Sequence, residues 1–127
     1  SISSGHYILS TIHSDKASSI PSRMYSLLET NQDIEQFLKS IHRYVQLGVH
    51  IRGRQDKQTK KFKRDIAEVT EFFVDENNNA GHNTIYKKTE DGIITKNKPS
   101  KYLIDYLDSQ GIVLPEVIVD NVEELAV

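Results

Sequence analysis

The side chains with the most chemistry to offer crowd the first part of the chain: Gly5-His6, then Ser10-Thr11-Ile12-His13, followed by Ala17 and Arg23. An imidazole changes charge near neutral pH and can hydrogen-bond, move a proton or ligate a metal. A hydroxyl beside it can bond a phosphate, or the water that attacks one, in reactions that depend on positioning and electrostatics. Tyr7, Ile8, Leu9 and Ile12 lie between these polar residues with Gly5 just ahead, which predicts a short buried strand over residues 8–12. A strand that only fills a core has no need of that polar load. At its C-terminal end, Ser10, Thr11 and His13 would stand where open α/β sheets gather their ligand chemistry. His6 and His13 are seven positions apart, and on one continuous strand an odd separation sends them to opposite faces. They do not predict a two-histidine metal site, and only Asp15 lies near them at ligand spacing. The plainer alternative is a pair of polar residues at strand ends with a packing role.

Composition narrows the classes. A chain of 127 residues fits one domain and can bury roughly two thirds of its unfolded surface. Hydrophobic residues make up 37% and charged residues 27%, the balance of a globular protein. A net charge of −2 argues against a dedicated nucleic-acid binder, which carries a clear basic excess. No apolar run is long enough to cross a bilayer, and no signal peptide opens the sequence. The absence of cysteine removes disulfides and thiolate metal sites, which is compatible with the cytosol. Met24 is the only methionine, so the chain reads as a processed product or an excised piece.

The elements that would position the histidines follow from period and punctuation. Ile20, Met24, Leu27 and Leu28 make one helical face, with Pro21 in the first turn and Ser18 or Ser19 as N-cap. Thr30 with Asp33 reads as a capping box that opens a second helix, whose face is Ile34, Phe37, Leu38 and Ile41. Val45, Leu47, Val49 and Ile51 alternate with polar residues, as a half-buried strand should. Residues 66–74 form a second strand, and residues 53–63 read as a long exposed basic loop between them. Residues 77–81 mark a turn, and residues 84–87 and 93–96 pair around Asp91-Gly92. Pro99 opens a last helix carrying Tyr102, Leu103, Tyr106 and Leu107, stopped by Gly111. The acidic tail, with Val122 to Leu125, is a short helix or a frayed end. Residues 1–44 thus hold the histidines and helices, 45–97 the hairpins, and 98–127 the terminal helix and tail.

As a composite, Gly5-His6, Ser10-Thr11-x-His13, Ala17 and Arg23-Met24 resemble the histidine box of the type II/IV secretion ATPases. These are motors of pilus assembly, protein export and conjugation. Downstream, Ser40-Ile41 and Val45-Gln46-Leu47 resemble that family's helix-to-strand passage, and Ile66-x-Glu68-Val69 its returning strand. The likeness covers residues 4 to about 75 and is nearer to the conjugation and tight-adherence pilus branch; residues 76–127 match nothing recognisable. It implies an α/β fold, the C-terminal portion of a RecA-like P-loop ATPase domain with a short strand, two helices, antiparallel hairpins and a C-terminal helix. It also implies a parent that hydrolyses ATP with Mg2+ and assembles as a hexamer with membrane secretion-system proteins at the cytoplasmic face of the membrane. By the same likeness His6 and His13 sense phosphate state, Ser10 and Thr11 lie near the nucleotide, and Arg23 fixes the next helix or reaches a neighbouring subunit. No metal ligand and no direct nucleic-acid contact is implied for these residues.

The sequence departs from the family pattern in telling ways. The phosphate loop G-x-x-x-x-G-K-[ST] is absent, and the acidic strand and water-activating glutamate would fall upstream of Ser1. Pro21 stands where the family has an aliphatic residue. The expectation is therefore a portion that is inactive alone and binds neither ATP nor Mg2+ by itself. The rival expectation is a non-catalytic binding or scaffold module whose histidines are structural. The basic stretch from Arg52 to Arg64 reads as a solvated hairpin rather than a nucleotide or nucleic-acid contact, having no interleaved aromatic but Phe62. His42 and His50 have no evident partners, His82 reads as an exposed loop residue, and Tyr102 and Tyr106 read as core packing.

Overall fold

The computed structural model describes residues 8–28 and 33–115. Among them the chain is mixed α/β, with a four-stranded antiparallel sheet and three α-helices. A 3-10 turn at Ala17–Ser19 leads into α1 (Ile20–Leu27), followed by α2 (Ile34–Tyr44). Strands β1 (Leu47–Gln55), β2 (Phe62–Val74), β3 (Ala80–Lys88) and β4 (Ile94–Lys96) then meander in the order β1-β2-β3-β4, and α3 (Lys101–Ser109) closes the described chain.

The strand expected over residues 8–12 is not formed. Residues 8–14 have no regular structure; Ile8 is 51% and Leu9 100% exposed. A strand must hydrogen-bond a neighbour along its length, and all the strands of the sheet fall between Leu47 and Lys96. The helices start close to the expected places but are capped differently. Ser19 precedes α1 with a helical backbone (φ −87°, ψ −3°) and makes no side-chain cap, because the 3-10 turn has already begun the winding. At α2 the cap is Asp33, whose carboxylate accepts from Glu35 N at 2.8 Å; Thr30 lies outside the described residues.

The larger correction concerns β1. The alternation of Leu47, Val49 and Ile51 is real, but these three side chains are 47%, 46% and 58% exposed, and it is Gly48 that is buried. The opposite face of the strand meets the helices. A Cβ on Gly48 would lie 2.7 Å from Ile20 Cδ1 and 3.0 Å from Phe72 Cε2. Only glycine lets α1 approach the strand so closely. The basic loop is also shorter than expected, since Gln55 still pairs with Phe62. Asp56 closes the turn by accepting from Gln58 N (2.8 Å) and Thr59 N (3.0 Å), an Asx turn. These backbone N–H groups hold its carboxyl below the usual carboxylate range.

Two layers flank the sheet. On one face α1 and α2 pack edge to face through Tyr25 and Phe37, with centroids 5.3 Å apart, and His42 sets its ring against Phe72 at 5.4 Å. On the other face α3 stacks Tyr102 on Phe73 at 4.6 Å. Its N-cap Ser100 accepts from Leu103 N, as Pro99 and the apolar spacing predict, and Gly111 (φ +74°) ends it. The buried residues include Ala17, Ile41, Ala67, Phe72 and Leu103, but also Glu68, Thr70 and Glu71. Thr70 Oγ1 donates to Glu68 Oε1 (3.0 Å) and so must accept from Thr84 Oγ1 (2.9 Å). Each buried polar atom needs such a partner, since an unsatisfied one costs about 1–3 kcal/mol.

Candidate functional site

The segment after the missing strand is nonetheless held in place. Ala17 is wholly buried, and Ser18 N donates to the buried carboxylate of Glu68 at 3.3 Å. This contact ties the 3-10 turn to the middle of β2. Just upstream, Ser14 Oγ donates to Lys16 O at 2.8 Å, a local bond that turns the backbone before Ala17. From the first turn of α1, Arg23 Nε reaches back and donates to the carbonyl of His13 at 3.1 Å. The result is a shallow cleft lined by His13, Ser14, Asp15 and Arg23.

The structure thus brings His13 and Arg23 together, although ten positions separate them in the chain. His13 is exposed and lies in a segment without regular structure, not at the end of a strand. Ser10 and Thr11 are exposed and precede the cleft without lining it. His6 lies outside the described residues. The Arg23 guanidinium and the His13 imidazole border this cleft and have N–H groups that can donate to an anion such as a phosphate oxygen, whereas the Ser14 hydroxyl already gives its proton to Lys16 O. Among the described residues no group of three or more His, Asp or Glu could hold a metal ion.

A second cleft, of about 420 Å³, lies where β2 leaves the sheet, between α2 and α3. Its walls include His42, Arg43, Gln46, Phe72, Phe73, Glu76, Tyr102 and Tyr106. Tyr102 and Tyr106, read from the sequence as core, are half-buried there, and Tyr102 donates its hydroxyl to the Glu76 carboxylate. That bond, with Lys101 at 3.5 Å, holds the Glu76 carboxyl below its usual range. The same carboxylate pushes Lys101 and Tyr102 up. His42 does have a partner: its Nδ1 lies 2.6 Å from Leu38 O, so Nδ1 carries the proton and donates. His82 belongs to β3 rather than a loop, and is exposed.

A third polar group was not anticipated from the sequence. Arg52 donates to the carbonyls of Lys88 and Thr89 (3.2 Å each), and Lys88 Nζ reaches Asp65 at 3.1 Å. The Lys88 ammonium holds the Asp65 carboxyl below its usual range. Arg52 Nε is 3.9 Å from Asp65, close enough for an ion pair but not for a hydrogen bond. With Arg54 donating to Glu90 O (3.1 Å), two arginines of the basic stretch stitch the first hairpin to the β3–β4 turn. Their role is structural.

No family model matches the chain, and no curated protein matches it. No described helix is long and apolar enough to cross a membrane.

Proposed function

We propose that this chain is the C-terminal portion of a hexameric ATPase that powers type II/IV secretion, pilus assembly or conjugative transfer. The observation that carries the reading is the cleft in which Arg23 bonds the His13 carbonyl, because the two residues belong to one resembled motif. The order of the downstream pieces supports it, with α2 passing into β1 and β2 returning antiparallel. In this reading the described sheet and helices belong to a RecA-like domain completed upstream. His13 meets the γ-phosphate side of a nucleotide, His6 works with it, and Ser10 and Thr11 stand close by. Arg23 fixes the His13 backbone through Nε and directs its remaining N–H groups at phosphate or at an adjoining subunit.

ATP supplies the phosphoryl group in the parent. Its Mg2+ would be held by the acidic strand and phosphate loop expected upstream of Ser1. Partners are further copies of the subunit and membrane secretion-system proteins, with the assembly peripheral to the cell membrane on its cytoplasmic side. Two results test the proposal. The coding sequence upstream of Ser1 is expected to encode a G-x-x-x-x-G-K-[ST] loop followed by an acidic strand; its absence overturns the reading in favour of a binding module. The chain alone is expected to release no phosphate from ATP, because the groups that cradle the β- and γ-phosphates are not in its sequence. Turnover that is lost on His13→Ala would place the whole reaction within these residues and overturn the assignment as a partial motor.

A further inference from the structure

β2 runs further than its neighbour β1. Leu47 stands opposite Glu71, and Gln46 O accepts from Phe72 N. Extending that register would set Tyr44 opposite Val74, but Tyr44 is the last residue of α2 and is not available as strand. On its other side β2 stays paired to the end, with Phe73 opposite Gly81, Val74 opposite Ala80, and Asp75 N donating to Asn79 O. Backbone groups alternate along a strand, so Asp75 and Phe73 turn theirs toward β3 while Phe72 and Val74 turn theirs away. The N–H and C=O of Val74 therefore face the second cleft, which Val74 lines. Among the described residues no group bonds to either. An unpaired strand edge of this kind invites pairing.

The walls of the cleft indicate which segment fits. A sheet edge recognises an extended chain, whose main chain supplies the missing strand. Side chains alternate between faces, so a guest residue opposite Val74 lies on the side of Phe72 and α2. There Arg43 uses one N–H on Asn78 Oδ1 at 3.3 Å, and among the described residues its other N–H groups bond nothing. The guest residues before and after turn to the α3 side, where Phe73 stacks on Tyr102 and Tyr106 adds a second ring. The acids of the cleft are already engaged. Asp75 Oδ1 accepts from Asn77 N and Asn79 N (2.9 Å each), and Glu76 is held by Tyr102 and Lys101. The charge left to a guest is the Arg43 cation, and its complement is a carboxylate.

We propose that the cleft between α2 and α3 takes an extended segment of a partner protein, of the pattern aromatic–acidic–aromatic, as a short antiparallel strand on Val74. The central residue exchanges both main-chain hydrogen bonds with Val74, its carboxylate meets Arg43, and the two rings lie against Phe73, Tyr102 and Tyr106. This cleft shares no lining residue with that of His13. The probe is the blocked tripeptide acetyl-Tyr-Glu-Tyr-amide, titrated into the isotope-labelled full chain. Saturable binding should shift the Val74 amide signal downfield and slow its hydrogen exchange, while Val49 on the free edge of β1 stays unmoved. N-methylation of the Glu amide removes the donor to Val74 O and should weaken binding ~10-fold. N-methylation of the following Tyr amide, which points away from β2, should leave binding nearly unchanged. Lys in place of Glu should also weaken binding ~10-fold. Arg43 is exposed, so Arg43→Gln should keep the fold and erase that preference. Equal effects of the two N-methylations would mean that side chains alone hold the peptide, and shifts centred on Val49 would place it on the β1 edge. A Val74 amide protected without peptide in dilute solution would mean that another part of the chain fills the cleft. Protection that grows as the chain is concentrated would mean that a second copy does. Any of these results, a failure to bind, or a preference for Glu that survives Arg43→Gln overturns the proposal.

Discussion

Glu71→Ala should loosen α3 from the sheet more than any change on the helix surface. The carboxylate is 1% exposed and accepts from Ser100 N at 2.9 Å and from Ser100 Oγ, with Asn83 Nδ2 at a marginal 3.4 Å. Hydrogen bonds to a charged group contribute ~1.5–3 kcal/mol each. Losing the two from Ser100 therefore costs ~3–6 kcal/mol, much of it from donors left unpaired. With a urea slope of ~2 kcal/mol/M, the unfolding midpoint falls by ~2 M. Ser100 is also the N-cap of α3, so amide exchange in α3 should rise before exchange in β2 does. Glu71→Gln keeps one acceptor oxygen and the shape, and should fall between Ala and wild type. The control is Asp105→Ala on the exposed side of α3, expected to change stability by no more than ~0.5 kcal/mol. If Glu71→Ala unfolds at the same urea concentration as the control, the buried carboxylate does not anchor the helix and the reasoning fails.

Other outcomes follow from the same contacts. Gly48→Val should destabilise by ~2–3 kcal/mol, because its Cβ would collide with Ile20 Cδ1 and the Phe72 ring; urea unfolding reads this, and a neutral result would show that α1 does not rest on β1. The Glu76 carboxyl is depressed on folding, first by the Tyr102 hydroxyl, so its contribution is present above the unfolded value of 4.5 and lost as pH falls below it. Tyr102 is raised, by Glu76 first, so its contribution is present below 10.0 and lost as pH rises through the folded value. Tyr102→Phe should thus differ most from wild type between these limits in a urea series across pH, and a difference that persists unchanged at low pH would contradict the pairing.

Local signals in the sequence were reliable wherever a single residue's chemistry decides the backbone. Gly92 (φ +88°) and Gly111 (φ +74°) end a hairpin turn and a helix as their types predict, and Pro99 precedes α3. Period 2 in β1 was legible too, but not which face is inside. That depends on the close approach of α1 to Gly48, a contact across 28 positions of sequence that no local pattern carries. The strand expected over residues 8–12 fails for a related reason, since apolar character alone supplies no hydrogen-bonding neighbour. Of the candidate site, residue types pointed to His13 and Arg23, and the tertiary structure put them in one cleft. Glu68, which holds that region through Ser18 N, was invisible as an anchor because an acidic residue in a strand ordinarily faces water.

The most direct test of the secretion-motor assignment is steady-state phosphate release by the full-length parent carrying His13→Ala, set beside its nucleotide affinity. On the proposed reading the cleft acts on hydrolysis while binding rests on a phosphate loop in the parent, so turnover should fall steeply with affinity nearly unchanged. Normal turnover with weakened binding, or no change in either, would contradict the account.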